Sequence, residues 1–322
     1  MIISVIVPTY KRASIIECLA SIYAQKDAPE FEVIVVAREM PEEMYKALIK
    51  IYPHILILRP STDILILRPC KDIIGNGPAK NYGVEWAKGT YLAFTDDDCI
   101  VDENWLNHLY YQAEIGYDIV AGNCLPYDIA NPYLLAHQGA IMYHLNTQAF
   151  LKARVGTTMN LLIKKEIFDK LKGFDKLFAS HYGDDYDFNI RWAADESIRA
   201  AYFPKAIVLH NHKLTLLKLI KLSFRYGIGL NLCRMLVQSR IIQKVASIGR
   251  LLDFSSSIQV CMPRLDYIKM FKYIAYRSAD LATGSFLNRH YAGVLAIVMQ
   301  EIKRLGVWYG SRHPEVVSKV YD

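Results

Sequence analysis

The chain has 322 residues, 52% hydrophobic and 22% charged, so it can bury a large core and exceeds the commonest size of one compact unit. Its six cysteines (Cys18, Cys70, Cys99, Cys124, Cys233 and Cys261) show no CxxC spacing, which speaks against a zinc site or a disulfide framework and fits a reducing, cytoplasmic compartment. The net charge of +6 joins two unlike parts: residues 1–212 hold 21 Lys and Arg against 26 Asp and Glu, whereas residues 213–322 hold 17 against 6. An acidic front and a basic tail predict two different jobs, and the domain boundary is expected at 212/213.

In chain order, Ile2 to Val7 reads as a buried strand stopped by Pro8, and Ser14 to Gln25 as a helix with Ile15, Ile16, Leu19 and Ile22 on one face. Phe31 to Val36 predicts a second strand and Pro41 to Ile51 a second helix. HILILRP (54–60) and DILILRP (63–69) nearly repeat one another, an echo too short and isolated for a solenoid; one copy is expected to be a sheet strand and the other an edge strand or loop. The turn GNGP (75–78) then leads into a helix ending at Lys88, and Thr90 to Thr95 forms the next strand. This alternation is that of an open α/β sheet. No basic segment with a cleavage site precedes Ile2, so no signal peptide is expected. No apolar run reaches the ~18 residues that a bilayer span requires.

That strand delivers FTDDDC (94–99), three consecutive carboxylates at a strand end, where open α/β sheets bind ligands. Like charges so close disfavour joint ionisation unless donors or a cation compensate them, and a divalent metal is the natural candidate. A solvated acidic loop is the plainer alternative.

Four segments together, SVIVPTYKR (4–12), GPAKNYGVEWAKGTYLAFTDDD (77–98), LKGFDKLF with YGDDYDFNIRW (171–192), and FPKAIVLHNH (203–212), resemble the family 2 glycosyltransferases in order and spacing. The resemblance covers roughly residues 1–230. It implies an α/β GT-A fold, the nucleotide-diphospho-sugar transferase architecture, whose open mixed sheet is flanked by helices. To this it adds an inverting, hexosyltransferase-type transfer of sugar from a nucleotide-diphosphate donor, with Mn2+ or Mg2+. By the same resemblance Asp96 and Asp98 are the DxD acids: Asp96 faces ribose and metal, Asp98 ligates the metal, and Asp97 between them belongs to the donor side. Such hard cations take carboxylate oxygens and stabilise the charge on a departing diphosphate. Pro8 and Thr9 match the loop that holds base and ribose, Lys80 replaces an arginine that contacts the nucleotide, and His210, more than His212, matches a histidine that reaches the metal or diphosphate. Lys offers a point charge without the bidentate fork of Arg. The second acid of YGDDYDF, Asp185, takes the place of the general base that deprotonates the acceptor hydroxyl, with Asp184 orienting the acceptor. Taken alone, that stretch reads more readily as a plain helix start, where Asp is favoured by the macrodipole.

One departure stands out. The family carries an acid after the second strand that recognises uracil, whereas this chain runs Val36-Ala37-Arg38-Glu39. Either Glu39 substitutes, or main chain holds the base, or the base is not uracil; a UDP-sugar is the preferred donor. In the tail, LTLLKLIKLSFRYGIGLNL (214–232) places Lys218, Lys221 and Arg225 on one helical face until Gly227 and Gly229 interrupt it. Segments 269–281 and 291–310 extend the helical character. A basic face with an aliphatic back suits either an interfacial helix or a packed subdomain. The reading is a cytoplasmic enzyme, peripheral at the membrane face, acting on a lipid-linked acceptor or growing glycan. A nucleotidyltransferase would use similar acids without the base at Asp185. A nucleic-acid binder would rest on the basic tail, but RNP, KH and zinc-finger patterns are absent, and no nucleic-acid partner is expected.

Overall fold

Strand β1 (Ile3–Thr9) has every residue buried and lies between two parallel neighbours, β2 (Phe31–Ala37) and β4 (Tyr91–Phe94). This is a computed structural model, and it describes residues 2–60, 75–140, 156–178 and 183–243 with a few positions between 298 and 312. A run such as ISVIVPT, apolar on both faces, suits a central parallel strand covered on both sides. The strand does not stop at Pro8 as the sequence predicts. Pairing to β4 ends at Ile6 opposite Phe94, while pairing to β2 continues through Pro8 and Thr9. Beyond Ile6 the proline therefore costs no ladder bond on the β4 side.

The sheet has eight strands in the order β3-β2-β1-β4-β7-β6-β8-β5. The edge strand β3 (Leu56–Leu58) comes from the first ILILRP copy; the second copy lies outside the described residues. On the other side of β4 run β7 (Leu161–Lys164) and β6 (Ile119–Pro126), and β8 (Ala200–His210) pairs with the short β5 (Cys99–Val101). Pairs β4–β7, β6–β7 and β5–β8 are antiparallel, so the sheet is mixed.

Helices α1 (Ile15–Tyr23), α2 (Glu42–Ile51), α3 (Asn76–Glu85), α4 (Trp105–Glu114) and α6 (Lys165–Lys170) flank it. Helix α1 buries Ile15, Leu19 and Ile22 as its spacing requires, but leaves Ile16 exposed. Helix α3 presses onto the sheet at Gly83, where an added Cβ would stand 2.7 Å from Ile6 Cγ2. Asn160, fully buried, accepts a bond from Trp105 Nε1 (2.8 Å) and donates to the carbonyls of Asn123 and Ala206 (2.9 Å each). One amide thus ties α4, β6 and β8 together.

The chain forms two compact units: the first holds Met1–Leu125, Gly156–Ala179 and Arg191–His210, the second Pro126–Val155, Ser180–Ile190 and Asn211–Asp322. In the second unit α5 (Pro132–Ala140) packs against α8 (Leu216–Gln243), and the His137 ring meets those of His212 (5.9 Å) and Tyr226 (6.4 Å). Helix α8 runs unbroken through Gly227 and Gly229, contrary to the sequence expectation: both glycines are buried, and tertiary packing outweighs their low helix propensity. Among the described residues no helix is long and apolar enough to cross a membrane.

Candidate active site

The three aspartates leave the C-terminal end of β4, beside the C-terminal end of β1. The strand order moves outward from β1 in both directions here, toward β2 on one side and β4 on the other, the kind of switch point at which open sheets bind ligands.

Each carboxylate has a different set of neighbours. Asp96 Oδ1 lies 2.9 Å from Lys80 Nζ. Lys80, on α3, is almost completely buried and also donates to Thr158 Oγ1 (2.8 Å). Asp97 points inward, accepting from Thr9 Oγ1 (2.7 Å) and from Arg12 Nη1 (3.0 Å). Burial pushes its carboxyl up to about 6, against the pull of Arg12 and Thr9 and with the added repulsion of Asp98 and Asp96. Asp98 offers one oxygen to Arg12 Nη1 (2.6 Å) and the other to His210 Nε2 (3.4 Å).

The last contact follows from strand register. Cys99 pairs with His210 across the antiparallel β5–β8 ladder, so the final residue of AIVLH is brought beside the residue preceding Cys99. Burial alone would lower the His210 pKa, but the hydrogen bond and charge of Asp98, joined by Asp96, outweigh it and hold the imidazole above its usual value. A buried carboxylate and imidazole this close can share one divalent ion, and an oxygen-plus-nitrogen set suits Mn2+ better than Mg2+.

The structure therefore gathers Thr9, Lys80, Asp96, Asp97, Asp98 and His210 within the first unit, with Pro8 beside Thr9 in β1. It also adds residues that sequence reading missed. Arg12 clamps two of the aspartates, and the Cys18 thiol donates to the Asp96 carbonyl (3.4 Å). Burial, reinforced by the neighbouring aspartates, pushes the Cys18 thiol well up, so it is an inert donor. Glu39 is engaged by Lys11 Nζ at 2.6 Å, while the Arg38 guanidinium lies over the Tyr10 ring at 5.1 Å.

Asp184 and Asp185 open α7 (Asp184–Ala193) in the second unit, where Gly183 adopts φ 149°, a turn a side chain would resist, and accepts from the Cys233 thiol (3.3 Å). His212 also belongs to the second unit.

A family profile described as "Glycosyl transferase family 2" matches residues 4–172. Glycosyltransferase AglE of Haloferax volcanii is 25% identical over 234 residues, covering 70% of this chain and 72% of the relative. Among solved structures, the mannosyltransferase PcManGT from Pyrobaculum calidifontis, in complex with GDP-Man and Mn2+, superposes with a TM-score of 0.53 at 18% identity, over 94% of this chain and 86% of the other. TarS 1-349 of S. aureus gives 0.54 at 16% identity, over 96% and 92%. At these identities the two structures establish the fold.

Proposed function

The chain belongs to glycosyl transferase family 2 and is a glycosyltransferase on a GT-A fold, and from that premise we propose that it moves a sugar, with inversion, from a nucleotide-diphosphate donor to an acceptor hydroxyl with the help of a divalent cation. The observation that carries the reading is the buried Asp98–His210 pair at the strand ends, an oxygen and a nitrogen 3.4 Å apart. Asp98 and His210 would hold the cation, and Asp96 would lie on the donor side. When bound, Mn2+ or Mg2+ stabilises the negative charge that grows on the leaving diphosphate.

The remaining residues shape and hold the loop. Lys80 fixes Asp96, and its burial between Asp96 and Thr158 supports a positioning role on the donor side. Thr9, next to Pro8, and Arg12 hold Asp97 inward, leaving the flanking acids to face the donor. Asp185 serves as the base and Asp184 orients the acceptor, a reading supported by the YGDDYDF likeness and by their place side by side in the first turn of α7. The tie between Glu39 and Lys11 argues against Glu39 standing in for the uracil-reading acid. Although a UDP-sugar is expected from the sequence, the GDP-Man complex of PcManGT makes GDP-sugars equal candidates for trial.

The acceptor we propose is a lipid-linked hydroxyl or a growing glycan reached from the membrane surface. Lys218, Lys221 and Arg225 are exposed on α8, and Leu217 beside them is 61% exposed, the mixture an interfacial helix presents. The direct test is release of nucleoside diphosphate from UDP-, GDP- and dTDP-sugars in the presence of a membrane extract. Release that depends on Mn2+ and stops in excess chelator supports the reading; undiminished release in chelator removes the metal from it.

A further inference from the structure

The guanidinium of Arg12 stands against two of the three aspartates of the candidate metal site. Its Nη1 lies 2.6 Å from Asp98 Oδ2 and 3.0 Å from Asp97 Oδ1, so one nitrogen bridges two buried carboxylates. The Arg12 side chain is 50% exposed, against 6% and 9% for those acids, so the cation is the member of this trio that reaches solvent. Its backbone approach is fixed. Lys11 just before it holds φ 53°, in the left-handed region a lysine rarely adopts, and the loop is pinned by the bonds from Lys11 N–H to the Glu39 carbonyl (3.0 Å) and from Arg38 N–H to the Thr9 carbonyl (3.1 Å).

We infer that Arg12 is a built-in countercation that couples metal binding to donor binding: it neutralises Asp98 until a diphosphate arrives, then transfers its guanidinium to phosphate oxygens and leaves Asp98 Oδ2 to the metal. The inference rests on the donor-site reading above. With Arg12 on Asp98, a divalent ion shared by Asp98 and His210 meets a positive charge within a few ångströms and one occupied oxygen, which lowers its affinity. A diphosphate presents pairs of anionic oxygens that the planar guanidinium binds in bidentate fashion, so it competes for Arg12 and relieves both penalties together. Because binding free energies are reciprocal, metal tightens the nucleotide by the same factor that the nucleotide tightens metal. Asp97 stays put in either state, since Thr9 holds its other oxygen.

The experiment measures Mn2+ binding to the full chain, by the electron paramagnetic resonance of free Mn2+, with and without GDP or UDP. The chains are wild type, Arg12→Gln, Arg12→Met as a second neutral variant, Arg12→Lys and, as a marker of the site, Asp98→Ala; thermal melting checks that each is folded. Without nucleotide, the neutral variants are expected to bind Mn2+ about tenfold tighter than wild type, within the usual range of coupling between sites. Arg12→Lys should stay near wild type, Asp98→Ala should lose the site, and the tightening by nucleotide should shrink in the neutral variants. Three results would overturn the inference alone: neutral variants that bind Mn2+ no tighter than wild type, Arg12→Lys matching the neutral variants, or an undiminished nucleotide effect. Absence of Mn2+ binding in every chain, even with nucleotide, would overturn the donor-site reading and this inference with it.

Discussion

His210 and Asp98 meet because Cys99 is the register partner of His210 in the β5–β8 ladder, which leaves their side chains 3.4 Å apart although they are far apart in sequence. A two-strand antiparallel pair at the sheet edge is thus the device that completes the candidate metal site begun at the end of β4. A shift of one residue in that register would turn the His210 side chain to the opposite face of the sheet and empty the site.

Replacing Asp185 by Asn keeps the shape of the side chain and removes its capacity to accept a proton. Turnover should fall by about 10²–10⁴-fold with donor affinity little changed. Initial-rate kinetics with Asp184→Asn in parallel decides the assignment, for a larger loss at Asp184 would exchange the two roles.

Asn160→Ala removes three hydrogen bonds at once, two of them buried, and strands the Trp105 indole N–H. The unfolding midpoint in urea should move by the equivalent of about 3 kcal/mol, since each unsatisfied buried group costs about 1–3 kcal/mol. A loss near zero would mean that water replaces the amide.

The Asp195 carboxyl is held down at about 2, first by the hydrogen bond from Lys170 and then by Ser197. Its folded value lies below the ordinary one near 3.8, so its contribution is complete above that pH and is lost as pH falls toward about 2. Melting temperature should therefore drop between those values more steeply in the wild type than in Asp195→Asn. Equal slopes would show that the pair is screened in solution.

The basic face of α8 should carry the protein to anionic vesicles. Each Lys or Arg near such a surface contributes about 1 kcal/mol, so co-sedimentation should weaken as salt rises and fall when Lys218, Lys221 and Arg225 are all changed to Glu. No sedimentation at low salt would leave this face merely solvated and the acceptor soluble.

Much of the fold was legible because buried parallel strands and amphipathic helices leave periodic signals, and the Asp96–Asp98 run stood out by its charge at a strand end, whereas Lys80, on α3, and His210 were singled out only through the family resemblance. Pro8 misled because strand termination depends on which neighbour still pairs at that point. Gly227 and Gly229 misled because helix α8 is stabilised by what it packs against. Arg12 carried no signal: a basic residue after a strand is ordinary, and its partners Asp97 and Asp98 lie 85 and 86 positions away. The Cys18 thiol, 78 positions from the carbonyl it meets, was invisible for the same reason.

The most direct test of the central claim is thermal unfolding of the wild type and of Asp98→Ala with UDP-, GDP- and dTDP-sugars, each with and without Mn2+. A donor bound only by the native state raises the apparent melting temperature. At least one of these sugar nucleotides should stabilise the wild type, more strongly with Mn2+, and the Mn2+-dependent part should vanish in Asp98→Ala. No stabilisation by any of them, with or without Mn2+, would contradict the account.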